Sequence, residues 1–155
     1  MRRLLVPFLA PTSFVRDDLA LLGERYEVVP FEFGTASGAG ALARAVRRQR
    51  RWLAAEMPRA DAVFGWFADY HLALPARAAQ RRGVPLAVAL GGFDAACLPE
   101  LGYGVFYSRW RAPLAMRVLR SASLLVPVAG ALVRSENTVG AAPPHTAQGV
   151  AAHVP

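Results

Sequence analysis

Leu90-Gly91-Gly92-Phe93-Asp94 directly follows an apolar run at 85–90, with Pro99-Glu100-Leu101-Gly102-Tyr103-Gly104 close behind. A short, continuous apolar run reads as a strand covered on both faces. Two glycines at its carboxyl end let backbone approach a ligand with no Cβ in the way. Asp94, two residues on, can fix a hydroxyl. Ligands of open α/β sheets bind outside the carboxyl ends of the strands, so the pattern points to a polar, hydroxyl-rich ligand. Plainer roles stand beside these. The glycines equally make a turn, and Asp94 equally caps a short helix starting at Ala95.

Trp66-Phe67-Ala68-Asp69-Tyr70-His71 closes an earlier apolar run. Asp69, Tyr70 and His71 can line the same cleft. Asp69 equally caps the helix that follows, and His71 equally serves as an ordinary core or surface histidine. Other chemistries lack their signatures. The glycines do not fit the dinucleotide fingerprint, and the Gly-Lys-Ser/Thr ending of a P-loop is missing. His71, His145, His153 and Cys97 are scattered without ligand spacing, so no metal site is expected. There is no Gly-x-Ser-x-Gly elbow and no carboxylate pair suited to glycoside hydrolysis. Cys97, the only cysteine, allows no disulfide within the chain and sits among Ala95, Ala96 and Leu98. Such surroundings suit a structural thiol better than a nucleophile.

The hydrophobic pattern supplies a scaffold for these motifs. Strands are expected at 4–9, 26–33, 60–67, 85–90 and 123–128. Helices are expected at 14–25, 41–57, 70–82 and 107–121, with another starting in 130–137. Asp17 and Asp18 suit the first turn of the first helix. Pro58 ends the second, Gly83 caps the third, and Pro75 and Pro113 threaten kinks. Strand–helix alternation implies an α/β domain with a Rossmann-like, doubly wound, mostly parallel sheet. Right-handed crossovers then gather the loops 11–13, 34–38, 68–71, 91–94 and 129–130 on one edge. The domain is expected to occupy 1–138, and 139–155 is expected to be an irregular tail leading into a linker.

Composition narrows the class. The 155 residues suit one domain, and 54% hydrophobic with 19% charged residues excludes a disordered chain. The net charge is +7, yet every one of the 18 basic residues is arginine. With many Ala, Gly and Pro, that points to genome bias rather than nucleic acid, and no nucleic-acid partner is expected. Met1-Arg2-Arg3 before the apolar stretch 4–10 imitates a signal peptide. Pro7 and Pro11 interrupt it, and a first strand is expected. No apolar run approaches the ~20 residues that span a bilayer. On the 41–57 helix, Arg44, Arg47, Arg48, Arg50 and Arg51 oppose Leu42, Val46, Trp52 and Leu53. This describes an ordinary helix packed on a sheet, or one that seeks an anionic membrane surface. A cytoplasmic protein is expected, peripheral on the inner membrane face under the second reading.

Ala60-Asp61 with Trp66 to His71, Gly91-Gly92-Phe93-Asp94 and Pro99 to Gly104 together resemble the amino-terminal half of GT-B glycosyltransferases, of the retaining group 1 or family 4 type. Ala10-Pro11-Thr12-Ser13-Phe14-Val15 followed by Asp18-Leu19 is similar to the first loop and helix of some members. The similarity covers most of 3–135. It implies an acceptor-binding Rossmann-like domain, paired with a carboxyl-terminal domain that binds a nucleotide sugar. Transfer with retention, without a metal, occurs between the two. Where many members carry His-Gly-x-Asp, this chain has Gly91, so the donor contact of that histidine is missing. Where many carry Val-Ser-Glu, it has Val128-Ala129-Gly130. Gln148-Gly149-Val150 resembles the segment before the interdomain linker, so the chain is expected to stop short of the donor domain.

The resemblance implies the acceptor-binding half of an enzyme that moves a sugar from a nucleotide sugar to a hydroxyl of a sugar, glycolipid or small molecule. Gly91 and Gly92 would approach substrate through backbone, and Asp94 and Asp69 would bond acceptor hydroxyls. Thr12, Ser13, His71, Glu100 and Tyr103 would line the site. Catalytic residues are unassigned. No cofactor is expected, because the nucleotide sugar is a co-substrate held mainly by the donor domain, in cis or in trans. The alternative is a non-catalytic binding or assembly module that needs a separate donor-domain partner.

Overall fold

The computed structural model describes residues 1–136 and 147–152. Five parallel strands form the sheet: β1 (Arg2–Phe8), β2 (Tyr26–Glu32), β3 (Ala62–Trp66), β4 (Leu86–Leu90) and β5 (Leu124–Pro127), in the order β2-β1-β3-β4-β5. The helices are α1 (Ser13–Gly23), α2 (Ala39–Glu56), α3 (Ala73–Arg82) and α4 (Ala112–Ser121). The fold is Rossmann-like and doubly wound. Strand order reverses at β1, so the crevice between the loops after β1 and β3 is the switch point where such sheets bind ligands.

Side-chain alternation along the strands builds two cores. Leu5, Val63, Leu86, Val88 and Leu90 face one way, against Leu53 of α2, Ala76 and Ala79 of α3, and Val118 and Leu119 of α4. Leu4, Val6 and Phe8 face the other way, with Ala62, Phe64 and Trp66, against Phe14, Val15, Leu19 and Leu22 of α1. Register is fixed by Leu4↔Ala62, Trp66↔Ala89 and Leu90↔Pro127. Pro30 sits in β2 at one edge, where a missing ladder donor is tolerated.

Arg2, Arg3 and the apolar run after them form β1, whose Leu4, Leu5, Val6 and Phe8 are buried. Gly83 closes α3 in the left-handed conformation, φ +65°. Four expectations are corrected. Asp17 and Asp18 are not first-turn acids, because α1 begins at Ser13 and both lie beyond its first turn; Asp18 instead accepts the indole N–H of Trp66 at 2.6 Å. Residues 70–82 are not one helix, because a 3-10 turn, Tyr70–Leu72, precedes α3 and leaves Pro75 in its first turn. Pro113 starts α4 rather than interrupting a helix from 107, since a proline has no N–H to lose in a first turn. No helix starts over the described residues 130–136; a 3-10 turn, Gly130–Leu132, forms before Ser135–Glu136 (β6) pairs antiparallel with Ala147–Gln148 (β7).

Part of the expected tail is therefore ordered against the domain. The Gly149 N–H donates to Ala95 O at 3.1 Å, and Val150 is buried in the larger core. His145 and His153 lie outside the described residues. No described helix is long and apolar enough to cross a membrane.

Candidate functional site at the carboxyl edge of the sheet

Asp94 organises the edge. Its carboxylate is fully buried. Oδ1 accepts the N–H groups of Gly91 and Gly92, both at 3.1 Å, and Oδ2 accepts that of Ala68 at 3.0 Å. One side chain thus binds the loop after β4 to the end of β3. Burial raises the Asp94 carboxyl above its ordinary range, and the backbone N–H donors oppose that rise. It is not the N-cap of the 3-10 turn Phe93–Ala95; Gly92 holds that position.

The two glycines have different reasons. At Gly91 a Cβ would lie 2.3 Å from Cε1 of Phe67, so the aromatic ring fills the place a side chain would take. Phe67 itself has a positive φ of 67°, unusual for a bulky residue, and its ring meets Phe14 edge-on at 5.9 Å. Gly92 has φ +117°, a backbone that side chains rarely adopt, and a Cβ there would lie 4.0 Å from the Tyr103 hydroxyl. Gly91 is exposed to solvent, as the approach of a ligand to its backbone requires.

Asp69 follows β3 and is also buried. Its Oδ1 accepts the Tyr70 N–H at 2.7 Å, the capping role, and the Arg111 Nε–H at 3.0 Å. Oδ2 takes the Nη2 of Arg111, completing a two-pronged ion pair. That pair raises the Arg111 pKa further. The guanidinium lies 4.7 Å from the Phe93 ring centre and 5.5 Å from that of Tyr70. Arg111 was not among the expected site residues. A strand-end acid that folds inward needs either a cation, as Asp69 has, or several N–H donors, as Asp94 has, and the basic, aromatic run Ser108-Arg109-Trp110-Arg111 was the available signal for the first.

His71 is buried and neutral. Burial lowers its pKa to about 4. Its Nε2 lies 3.0 Å from Trp66 O, which places the proton on that nitrogen, and Nδ1 has no hydrogen-bond partner among the described residues. Gln49 of α2 reaches in to donate to His71 O at 2.7 Å. Burial also raises the Cys97 thiol pKa, and the nearby Glu100 adds to the rise, which disfavours a thiolate nucleophile.

The expected residues thus divide. Asp69, His71 and Asp94 are inside the fold. Thr12, Ser13, Glu100 and Tyr103 are exposed along the same edge, Thr12 as the N-cap position of α1 with its hydroxyl making no cap bond. Tyr103 pairs its backbone with Leu98 and sets its ring edge-on to Phe93 at 5.3 Å. No cluster of His, Cys, Asp and Glu able to hold a metal occurs among the described residues.

On the arginine helix, Ala45, Gln49 and Leu53 are buried, and Trp52 stacks on Phe31 at 4.9 Å. Arg48 donates to the carbonyls of Glu32 and Phe33 at 2.9 and 3.0 Å. The apolar face packs on the sheet, while Arg44, Arg47, Arg50 and Arg51 are exposed.

Fold and edge together define a doubly wound α/β domain with a polar strand-end surface. Comparison with protein-family models, with curated proteins and with solved structures gives no match.

Proposed function

We propose that this domain is the acceptor-binding half of a retaining glycosyltransferase, presenting a hydroxyl-bearing acceptor to a nucleotide sugar held by a donor domain. One observation supports this reading above the others. The three stretches that carry the resemblance meet at a single edge, although they lie apart in sequence. Asp94 bonds to Ala68, Arg111 bridges Asp69 and Phe93, and Phe93 packs on Tyr103. In this reading Asp94 and Asp69 shape the loops, while acceptor hydroxyls meet Tyr103, Glu100, Thr12, Ser13 and the exposed Gly91 backbone. The chemistry is placement, with charge stabilisation from the donor side.

Saturation-transfer NMR on the chain tests it, with a panel of methyl glycosides and disaccharides set against nucleotide sugars. Saturation of a glycoside, weakened by Tyr103→Phe, with none for nucleotide sugars, supports the proposal. Saturation of nucleotide sugars alone, or of neither, overturns it.

The second reading, a non-catalytic binding or assembly module, is favoured by the burial of Asp69, Asp94 and His71. Each of these groups able to move a proton is engaged within the fold. The readings separate on protein isolated from its source cells. Sugar transfer to the bound glycoside supports the first, and binding without transfer supports the second.

A further inference from the structure

A groove of about 310 Å³ runs over α3 between α2 and α4, on the helical side of the sheet. Its volume falls at the small end of ligand pockets. Leu42, Leu74 and Leu114 supply apolar wall, one from each helix, and Trp110, 55% exposed, stands beside them. Two arginines, Arg77 of α3 and Arg117 of α4, line the same space. No acidic residue lines the groove, and neither arginine has an ion-pair partner among the described residues. The contrast with Arg111 is direct, since that guanidinium is neutralised by Asp69.

Two guanidiniums with no ion-pair partner among the described residues, beside an apolar wall, favour an amphiphilic anion. A neutral apolar ligand leaves both cations without a counter-charge, and a bare inorganic anion leaves the leucines and Trp110 exposed. A guanidinium offers a rigid fork of donors that matches a carboxylate in two-pronged fashion. We propose that this groove is a binding site for a small amphiphilic carboxylate, its chain or ring on Leu42, Leu74, Leu114 and Trp110 and its head group between Arg77 and Arg117. The groove borders the strand-end edge at Tyr70 and Trp110, but its arginines lie on the helices, and the proposal does not rest on the glycosyltransferase reading.

Titration calorimetry with decanoate, kept below its micelle concentration, tests the site on the whole chain. Decanol removes the charge, and acetate removes the chain. Both arginines are exposed, so Arg77→Gln with Arg117→Gln leaves the fold intact, as a thermal melt verifies. The matched control, Arg81→Gln with Arg120→Gln, removes the same charge from the same two helices at residues that do not line the groove. The expected result is saturable one-to-one binding of decanoate, with decanol and acetate much weaker. The groove pair should lose roughly tenfold or more in affinity and the control pair less than about twofold. Equal losses in the two pairs would show bulk charge attraction and overturn the site. So would absence of saturable binding, equal affinity for decanol, or binding only to vesicles of anionic phospholipid.

Discussion

At the scale of single residues, the edge is built from groups whose roles are set by what surrounds them. Asp94→Asn keeps the shape but turns an amide NH₂ toward backbone N–H donors. Leaving such a donor unsatisfied costs about 1–3 kcal/mol, so urea unfolding should show a loss of that size. Gly91→Ala should cost about 1–3 kcal/mol through overpacking against Phe67. In a double-mutant cycle with Phe67→Ala, the alanine at 91 should cost much less once the ring is gone. Additive losses would mean that the Gly91 backbone itself, not the ring, requires glycine. Sequence types at these positions were legible, but their directions were not. Gly-Gly followed by an acid signals a strand-end loop. Whether the acid turns outward to a ligand or back onto its own backbone depends on Ala68, 26 residues away, and local spacing carries no such information.

At the scale of elements, strands and helices were legible wherever hydrophobic period and punctuation agreed. Runs such as 85–90 gave β4 to within one residue, and Gly83 gave the end of α3. The failures lie where tertiary partners override local pattern. Asp17 and Asp18 carry helix-start chemistry, yet α1 begins early, at Ser13, which leaves both past its first turn, and the Asp18 carboxylate is taken by Trp66. The run 130–137 has helical residues, but Ser135–Glu136 finds a strand partner in Ala147–Gln148. The Arg111–Asp69 pair belongs to this scale, because it ties the start of α4 to the end of β3. Arg111→Met should leave a buried carboxylate without its cation and lower unfolding stability by about 3–5 kcal/mol. A loss near zero would mean that Asp69 is solvated in solution. Arg111→Lys should recover only part, since a lysine cannot make both prongs.

At the scale of the molecule, the two faces of the sheet differ. Three helices cover one face and α1 covers part of the other. Beyond α1, Leu124, Val126 and Val128 are 58%, 42% and 59% exposed. His71 is buried, which makes global stability depend on pH. A histidine whose folded pKa is lowered from 6.5 to about 4 must lose its proton for the chain to fold. Its contribution is complete above pH 6.5 and is lost as pH falls from there toward 4. The loss amounts to about 3 kcal/mol over that window. His71→Gln should flatten this part of a stability–pH curve, measured by urea unfolding at half-unit steps. An unchanged slope would assign the acid sensitivity to other groups.

The decisive measurement is an amide chemical-shift map of the chain titrated with a methyl glycoside that saturation transfer has shown to bind. If the strand-end edge holds the acceptor, shifts cluster at 12–13, 91–93 and 100–104, and the Tyr103→Phe variant diminishes them without a change in thermal stability. If they instead cluster away from that edge, or spread evenly over the surface, the acceptor-site assignment is wrong.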